Sequence, residues 1–211
     1  MADETTRGAA GGSSETDGAD YPRYFEALGR FVAMFSAIEN MVQTLFWQMT
    51  GVDERVAPAV FSGVRMDAAQ GLIKRVLEVR SFPTLDRAEL DDVFSHLSTV
   101  TRIRNDILHY GAYPRGTSGF ITSNRLVATT PERLRETRAS PDVLAALHAD
   151  LGRMAILLSN ALTAVLGLRI TDEMAATLDK ARRDAWRYKP GAPTPTDRPR
   201  PPKPPRRPPR P

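Results

Sequence analysis

Residues 86–111, DRAELDDVFSHLSTVTRIRNDILHYG, read as one long helix that closes on a run of polar side chains. Leu90, Phe94, Leu97, Val100, Ile107 and Leu108 recur at helical spacing and supply its apolar face. Gly111 and Pro114 stop it, because glycine favours a C-terminal cap and proline cannot continue a helix. Arg104 falls within the same broad arc, between Val100 and Leu108. A guanidinium there costs stability unless it meets an anion or a water-filled cleft. Asn105 and His109 are four residues apart and share one face, while Arg104 sits about 100° from Asn105. Arg, Asn and His therefore project from about one and a half turns at a helix end. An arginine can grip a phosphate with two parallel bonds, and a histidine moves a proton near neutral pH.

The remaining pattern is also helical. A first helix is expected from Pro22 to about Met49, with Phe25, Leu28, Val32, Phe35, Val42, Phe46 and Met49 as its stripe. The one missing position in that stripe is Glu39. Either Glu39 points inward and pairs with Arg104, fixing its rotamer, or the seam rotates through Ile38 and leaves Glu39 at the margin. Gly51 to Arg65 reads as a connection. A second helix follows from about Asp67, its expected N-cap, to Val79. After the helix of residues 86–111, the period breaks over residues 112–139. Residues 119–122 and 125–129, around Ser123-Asn124, suit either a small β-hairpin walling the cleft or an irregular surface loop. A fourth helix opens on Ser140 as N-cap, Pro141 and Asp142. A fifth is expected from Thr171 to about Trp186.

Two flanking segments differ in composition. Residues 1–20 lack large apolar side chains after Met1 and carry a net −4, so disorder is expected there. Residues 189–211 carry a net +6, and eleven of the chain's 17 prolines fall in 190–211. That composition favours extended polyproline II and cannot build a core. A solvated tether loosely attracted to RNA is one use, and an SH3-type ligand at residues 202–206 is another. The organisation expected is thus an acidic tail at 1–20, a helical domain at 21–188 and a Pro/Arg-rich tail at 189–211. Because the tail holds most of the overall +4, net charge alone does not make the helical domain a nucleic-acid binder.

No cysteine is present, which removes disulfides, thiolate zinc sites and a cysteine nucleophile. The sequence shows no phosphate-binding glycine loop, no closely spaced metal ligands and no glycine-flanked serine. His96 and His148 read as exposed or capping residues. The most apolar run, Met154 to Leu168, is too short to span a bilayer, so no membrane association is expected and a cytoplasmic location is. A reaction without metal or cofactor, or no reaction, is what remains.

Arg-x4-His with Asn directly after the Arg, at the end of a helix in an all-helical domain, resembles the HEPN superfamily. That superfamily contains bacterial and archaeal toxins, abortive-infection proteins and the ribonuclease domains of some CRISPR effectors. The resemblance covers roughly Tyr21 to Tyr188. It implies an all-α, up-and-down bundle of four to five helices, and a homodimer whose Arg-x4-His segments face each other across a shared cleft. The implied activity is metal-independent cleavage of RNA through its 2′-hydroxyl. Arg104 and His109 match the motif's ends and Asn105 its polar second position. His109 would transfer protons, Arg104 would meet the charge on phosphorus, and Asn105 would orient the phosphate or the imidazole. Asp106 departs from the pattern, since a carboxylate beside a phosphate repels substrate, and it is expected to face solvent. Tyr110 could stack on a base or simply pack at the helix end. A cognate antitoxin or a nucleotidyltransferase-like protein is a conceivable partner. The alternative is a non-catalytic helical binding or scaffold module that recognises a protein or nucleotide partner; in an inactive bundle Arg104 would merely neutralise Glu39.

Overall fold

A computed structural model describes residues 20–115 and 119–190. The disorder expected for residues 1–19 and 191–211 lies outside the described residues. The chain is mostly helical, with one small antiparallel sheet.

Helix α1 (Tyr21–Thr50) starts where the Asp20 carboxylate accepts the Arg23 N–H at 3.1 Å, with Pro22 in the first turn. It ends at Gly51, whose φ of 71° suits a residue without a side chain. Its buried seam is Tyr24, Phe31, Phe35, Ile38, Val42, Leu45 and Met49, alternating steps of three and four after the first. Phe35, Val42, Met49 and the adjoining Phe46 are buried as expected, and only the first turns differ, with Tyr24 and Phe31 buried in place of Phe25 and Val32. Ile38 is fully buried, Glu39 is half-buried at its margin, and Phe25 is exposed. At the start of α1 a long-range contact accompanies the difference: Phe120 stacks on the buried Tyr24 with centroids 4.0 Å apart.

The connection after α1 contains a short helix, α2 (Ala57–Phe61), whose Phe61 ring packs edge-on against Phe46 at 4.6 Å. Helix α3 (Met66–Val79) begins one residue earlier than expected. Arg65 occupies the cap position without a side-chain bond, and Asp67 lies in the first turn, where its charge suits the dipole. Helix α4 (Arg87–Tyr110) is capped by Asp86, whose carboxylate accepts the Glu89 N–H at 3.0 Å. Leu108, expected on the apolar face, is 46% exposed, and Ile103 is buried instead.

The insertion after α4 forms a sheet of order β1-β2-β3, from β1 (Tyr113–Pro114), β2 (Phe120–Ser123) and β3 (Glu136–Arg138). Both pairings are antiparallel, with Ile121 opposite Tyr113 on one side and Arg138 on the other. Residues 125–129, expected as the second hairpin strand, are not a strand. Asn124 intervenes: its side chain accepts the Arg135 N–H at 2.7 Å and donates to the Arg133 carbonyl at 2.9 Å. Its own carbonyl accepts from Val127 and Ala128. These bonds turn residues 125–128 outward, leaving Leu126 95% exposed, and the true partner strand comes about ten residues later.

Helix α5 (Pro141–Val165) begins as expected, with the Ser140 hydroxyl accepting the Val143 N–H. Ser140→Ala should lower stability by about 1 kcal/mol, read as a reduced urea midpoint with unchanged slope. Helix α6 (Asp172–Arg183) is capped by Thr171 and stops three residues short of Trp186, correcting the expected end. Helix α1 packs along α3 and α5, and α4 and α6 both pack on α5. All four residues of β2 are buried, and the sheet rests against the end of α4. No described helix is long and apolar enough to cross a membrane.

Candidate active site at the end of α4

The last turns of α4 are fixed by the chain immediately beyond them. Gly111, at φ 69°, donates its N–H to the Ile107 carbonyl at 2.9 Å and closes the helix. From the sheet, the buried Thr122 hydroxyl donates to the Asp106 carbonyl at 3.0 Å. The backbone that carries the polar run is therefore held in place before any side chain is considered.

Arg104 is half-buried. Its guanidinium carbon lies 5.1 Å from the centre of the Phe35 ring on α1. Its Nη1 donates to Asn105 Oδ1 at 3.0 Å, and its Nε is buried without a partner. Among the described residues no carboxylate lies within ion-pair distance of Arg104, so the expected Glu39–Arg104 pair is absent. Of the two readings of Glu39, the second holds: the seam runs through Ile38, Glu39 lies at its margin, and the guanidinium meets the ring of Phe35 instead. An aromatic face offsets part of the cost of a half-buried cation, about 0.5–2 kcal/mol.

Asp106 does not face solvent. It is 7% exposed, and its Oδ1 accepts from Arg135 Nη2 at 3.1 Å. Its charge is thereby neutralised by the loop before β3 and directed away from Arg104. Arg135→Ala should cost about 1–3 kcal/mol by leaving that carboxylate buried and unpaired, measurable by chemical unfolding.

His109 is exposed, and Tyr110 beside it is half-buried, with the two rings 6.4 Å apart and tilted. On an ideal helix His109 lies about 40° from Asn105 but about 140° from Arg104. Arg104 thus leans inward over Phe35 while His109 faces water, with Asn105 between them. Arg102, exposed, precedes His109 by seven residues and shares its direction to within about 20°. Sequence reasoning passed over Arg102 because it lies outside the Arg-x4-His spacing.

A second polar cluster lies further back on α4. His96, expected as exposed or capping, donates or accepts at Nε2 with Asp150 Oδ2 across 2.9 Å. Asp150 is 1% exposed, and it also accepts the backbone N–H groups of Arg187 and Tyr188 at 2.7 and 2.9 Å. The Trp186 ring stacks on His96 at 4.3 Å and 11°, and the Arg153 guanidinium carbon lies 3.8 Å from the same ring centre. Two groups that close occupy opposite faces of the indole. The advance signal was a carboxylate beside the α5 leucine stripe, followed at long range by the second of the chain's two tryptophans. Burial pushes the Tyr188 phenol up from its ordinary pKa, and the Arg102 charge partly offsets that. His148 is half-buried and lines a shallow cavity of about 200 Å³ with Arg23, Glu26 and Arg30. Among the described residues no group of three His, Asp or Glu side chains could hold a metal ion.

Comparison with protein-family models, with curated proteins and with solved structures finds no match for this chain.

Proposed function

We propose that this protein is a metal-independent endoribonuclease of HEPN type, acting as a toxin or phage-defence effector. The helices form an up-and-down bundle, and two copies join so that their α4 ends flank one cleft. The reading is carried by one observation: α4 ends with His109 in solvent, five residues after an arginine that no described carboxylate neutralises.

In this reaction the RNA 2′-oxygen attacks the adjacent phosphorus. The His109 imidazole of one copy takes the 2′-proton. The bond from phosphorus to the 5′-oxygen breaks, and the second copy's imidazole returns a proton to that oxygen. The products are a 2′,3′-cyclic phosphate and a 5′-hydroxyl. Arg104 supplies positive charge to the phosphorane, and Asn105, which already holds Arg104 Nη1, sets its rotamer. Tyr110 flanks the imidazole as a supporting surface. The experiment is incubation of purified protein with tRNA and total RNA in EDTA, with analysis of the new ends. Cyclic phosphate ends are expected; uncut RNA sinks the proposal.

A second reading draws on a different feature. Arg104 is stacked on Phe35 and bonded to Asn105, which is also what a purely structural arginine does. In that case the protein is a non-catalytic binding module. The groove of about 540 Å³ between α1, α5 and α6, lined by Met41, Ile156, Ile170 and Met174, is then its working surface. A dimer that places the two α4 ends on opposite outer faces favours this reading.

A further inference from the structure

The sheet after α4 has two unlike faces. Side chains alternate along a strand, so Phe120 and Thr122 share one face of β2, and Ile121 and Ser123 the other. The first face meets the helices: Phe120 stacks on Tyr24, and the Thr122 hydroxyl donates to the Asp106 carbonyl. The register sets Tyr113, Ile121 and Arg138 side by side on the second, outer face. Ile121 is buried yet stands apart from the core packed between the helices. The ion pair of Arg115 with Glu136 reaches from the β1 edge to β3, and so spans β2 on that same face. At the two edges Tyr113 stays 44% exposed and Arg138 is exposed.

The insertion is also basic. Residues 112–139 carry Arg115, Arg125, Arg133, Arg135 and Arg138 against Glu132 and Glu136. Arg115 is taken up by Glu136 and Arg135 by Asp106. Among the described residues no carboxylate lies within ion-pair distance of Arg125, Arg133 or Arg138. Glu132, the insertion's other acid, adjoins Arg133 in the turn Pro131–Arg133. Continuing the β1–β2 register puts Ser123 opposite Gly111. The loop that carries Arg125 and Arg133 therefore leaves the sheet at the end where α4 enters it. Thr122 and Arg135 both bond to Asp106, so the sheet is fixed to the turn of α4 that precedes His109. Tyr113 follows His109 by four residues, and their Cα atoms are at most about 14 Å apart.

We infer that this outer face is a subsite for single-stranded RNA, in which a base stacks on Tyr113 while Arg125, Arg133 and Arg138 hold neighbouring phosphates. The inference rests on reading the α4 end as a nuclease site, and it names the strandedness of that site's substrate. A duplex keeps the ring faces of its bases inside its own stack, so only an unpaired nucleotide can offer one to a tyrosine. Stacking accepts every base, since each has a π-face, and three free guanidiniums supply the charge that a phosphate backbone requires. A protein partner would find little to bury here, because Ile121 is already covered and Tyr113 stands among cations. With Tyr113 so close to His109, the nucleotide held on the sheet decides which phosphate of the same strand reaches the imidazole.

The test is anisotropy of a fluorescein-labelled single-stranded 2′-O-methyl RNA, which lacks the attacking hydroxyl, with the full chain in EDTA. Tyr113→Ala should bind it at least about fivefold more weakly, the loss of one stacked base, while Tyr113→Phe keeps the ring and should stay within about twofold of wild type. The variant carrying Arg125→Gln, Arg133→Gln and Arg138→Gln should lose at least about tenfold, and its slope of log affinity against log salt should flatten by about 2, for three single-strand contacts. All four side chains are exposed, so thermal melts followed by circular dichroism should match wild type.

Inorganic polyphosphate, which has the charges and no bases, separates stacking from attraction. It should bind Tyr113→Ala as tightly as wild type, and the glutamine variant more weakly. If Tyr113→Ala or the glutamine variant holds RNA as tightly as wild type, the inference is overturned. It is overturned too if Tyr113→Phe loses as much as Tyr113→Ala, or if Tyr113→Ala weakens polyphosphate as much as RNA. Tyr113-dependent binding without cleavage of unmodified RNA drops the nuclease and keeps the subsite. Cleavage with binding indifferent to Tyr113 does the reverse.

Discussion

His109→Ala should lower RNA cleavage in EDTA by at least about a hundredfold while leaving binding of uncleavable RNA within about twofold of wild type. His109 is exposed in the last turn of α4, so its removal should barely change stability. That separates loss of proton transfer from loss of fold. Arg104 is the harder residue to interrogate, because its guanidinium also covers Phe35. Arg104→Ala removes packing along with charge. Arg104→Lys keeps the charge, but it loses the planar fork that stacks on the ring and holds Asn105 Oδ1. Both should depress turnover, and the lysine variant should keep more of the stability. If His109→Ala cuts RNA as fast as wild type, the proton-transfer role goes, and the nuclease reading goes with it.

Asp150→Ala should destabilise the protein by about 3 kcal/mol, the largest loss expected from any exchange outside the apolar core. Its carboxylate is buried and accepts from two backbone N–H groups and His96. Alanine leaves all three without a partner unless residues 186–188 undock. Undocking limits the loss, but it then removes the Trp186 stack from His96 and Arg153. Asp150→Asn keeps one acceptor oxygen and should cost less. Urea unfolding followed by circular dichroism gives the stability, and a red shift of Trp186 emission, read in a Trp47→Phe background, reports the release. A loss below about 1 kcal/mol with unchanged emission would show that the docking of residues 186–188 is not built on this carboxylate.

Local rules carried the reading of the helices a long way. Asp86, Ser140 and Thr171 each accept an N–H three residues on, as their positions before periodic runs imply. The failures share one cause. In the first turns of α1, the expected Phe25, Leu28 and Val32 and the buried Tyr24 and Phe31 both lead at helical spacing into Phe35. Packing against distant elements chooses between them, including the stack of Phe120, about a hundred residues away, on Tyr24. With the seam running through Ile38, Glu39 stays at its margin and Phe35, rather than a carboxylate, lies under Arg104. Asp106 was misplaced for a similar reason, since its partner Arg135 comes from a loop with no periodicity. The strand expected at 125–129 lost to the side chain of Asn124, which bonds the backbone of Arg133 and Arg135 beyond that turn.

The sequence by itself determined that the chain is mostly helical, where most of its helices begin, and that Arg104, Asn105 and His109 stand within one and a half turns of a helix end. Spacing and capping are properties of neighbours along the chain, so they can be read there. Tertiary structure alone decided which way each of those side chains is held. It put Arg104 against an aromatic ring and Asp106 against a distant arginine. It also bound the segment after α6 to α4 and α5 through His96 and Asp150. Those choices depend on which of several equally apolar faces meet, and the energy that selects among them comes from contacts between residues far apart in the chain.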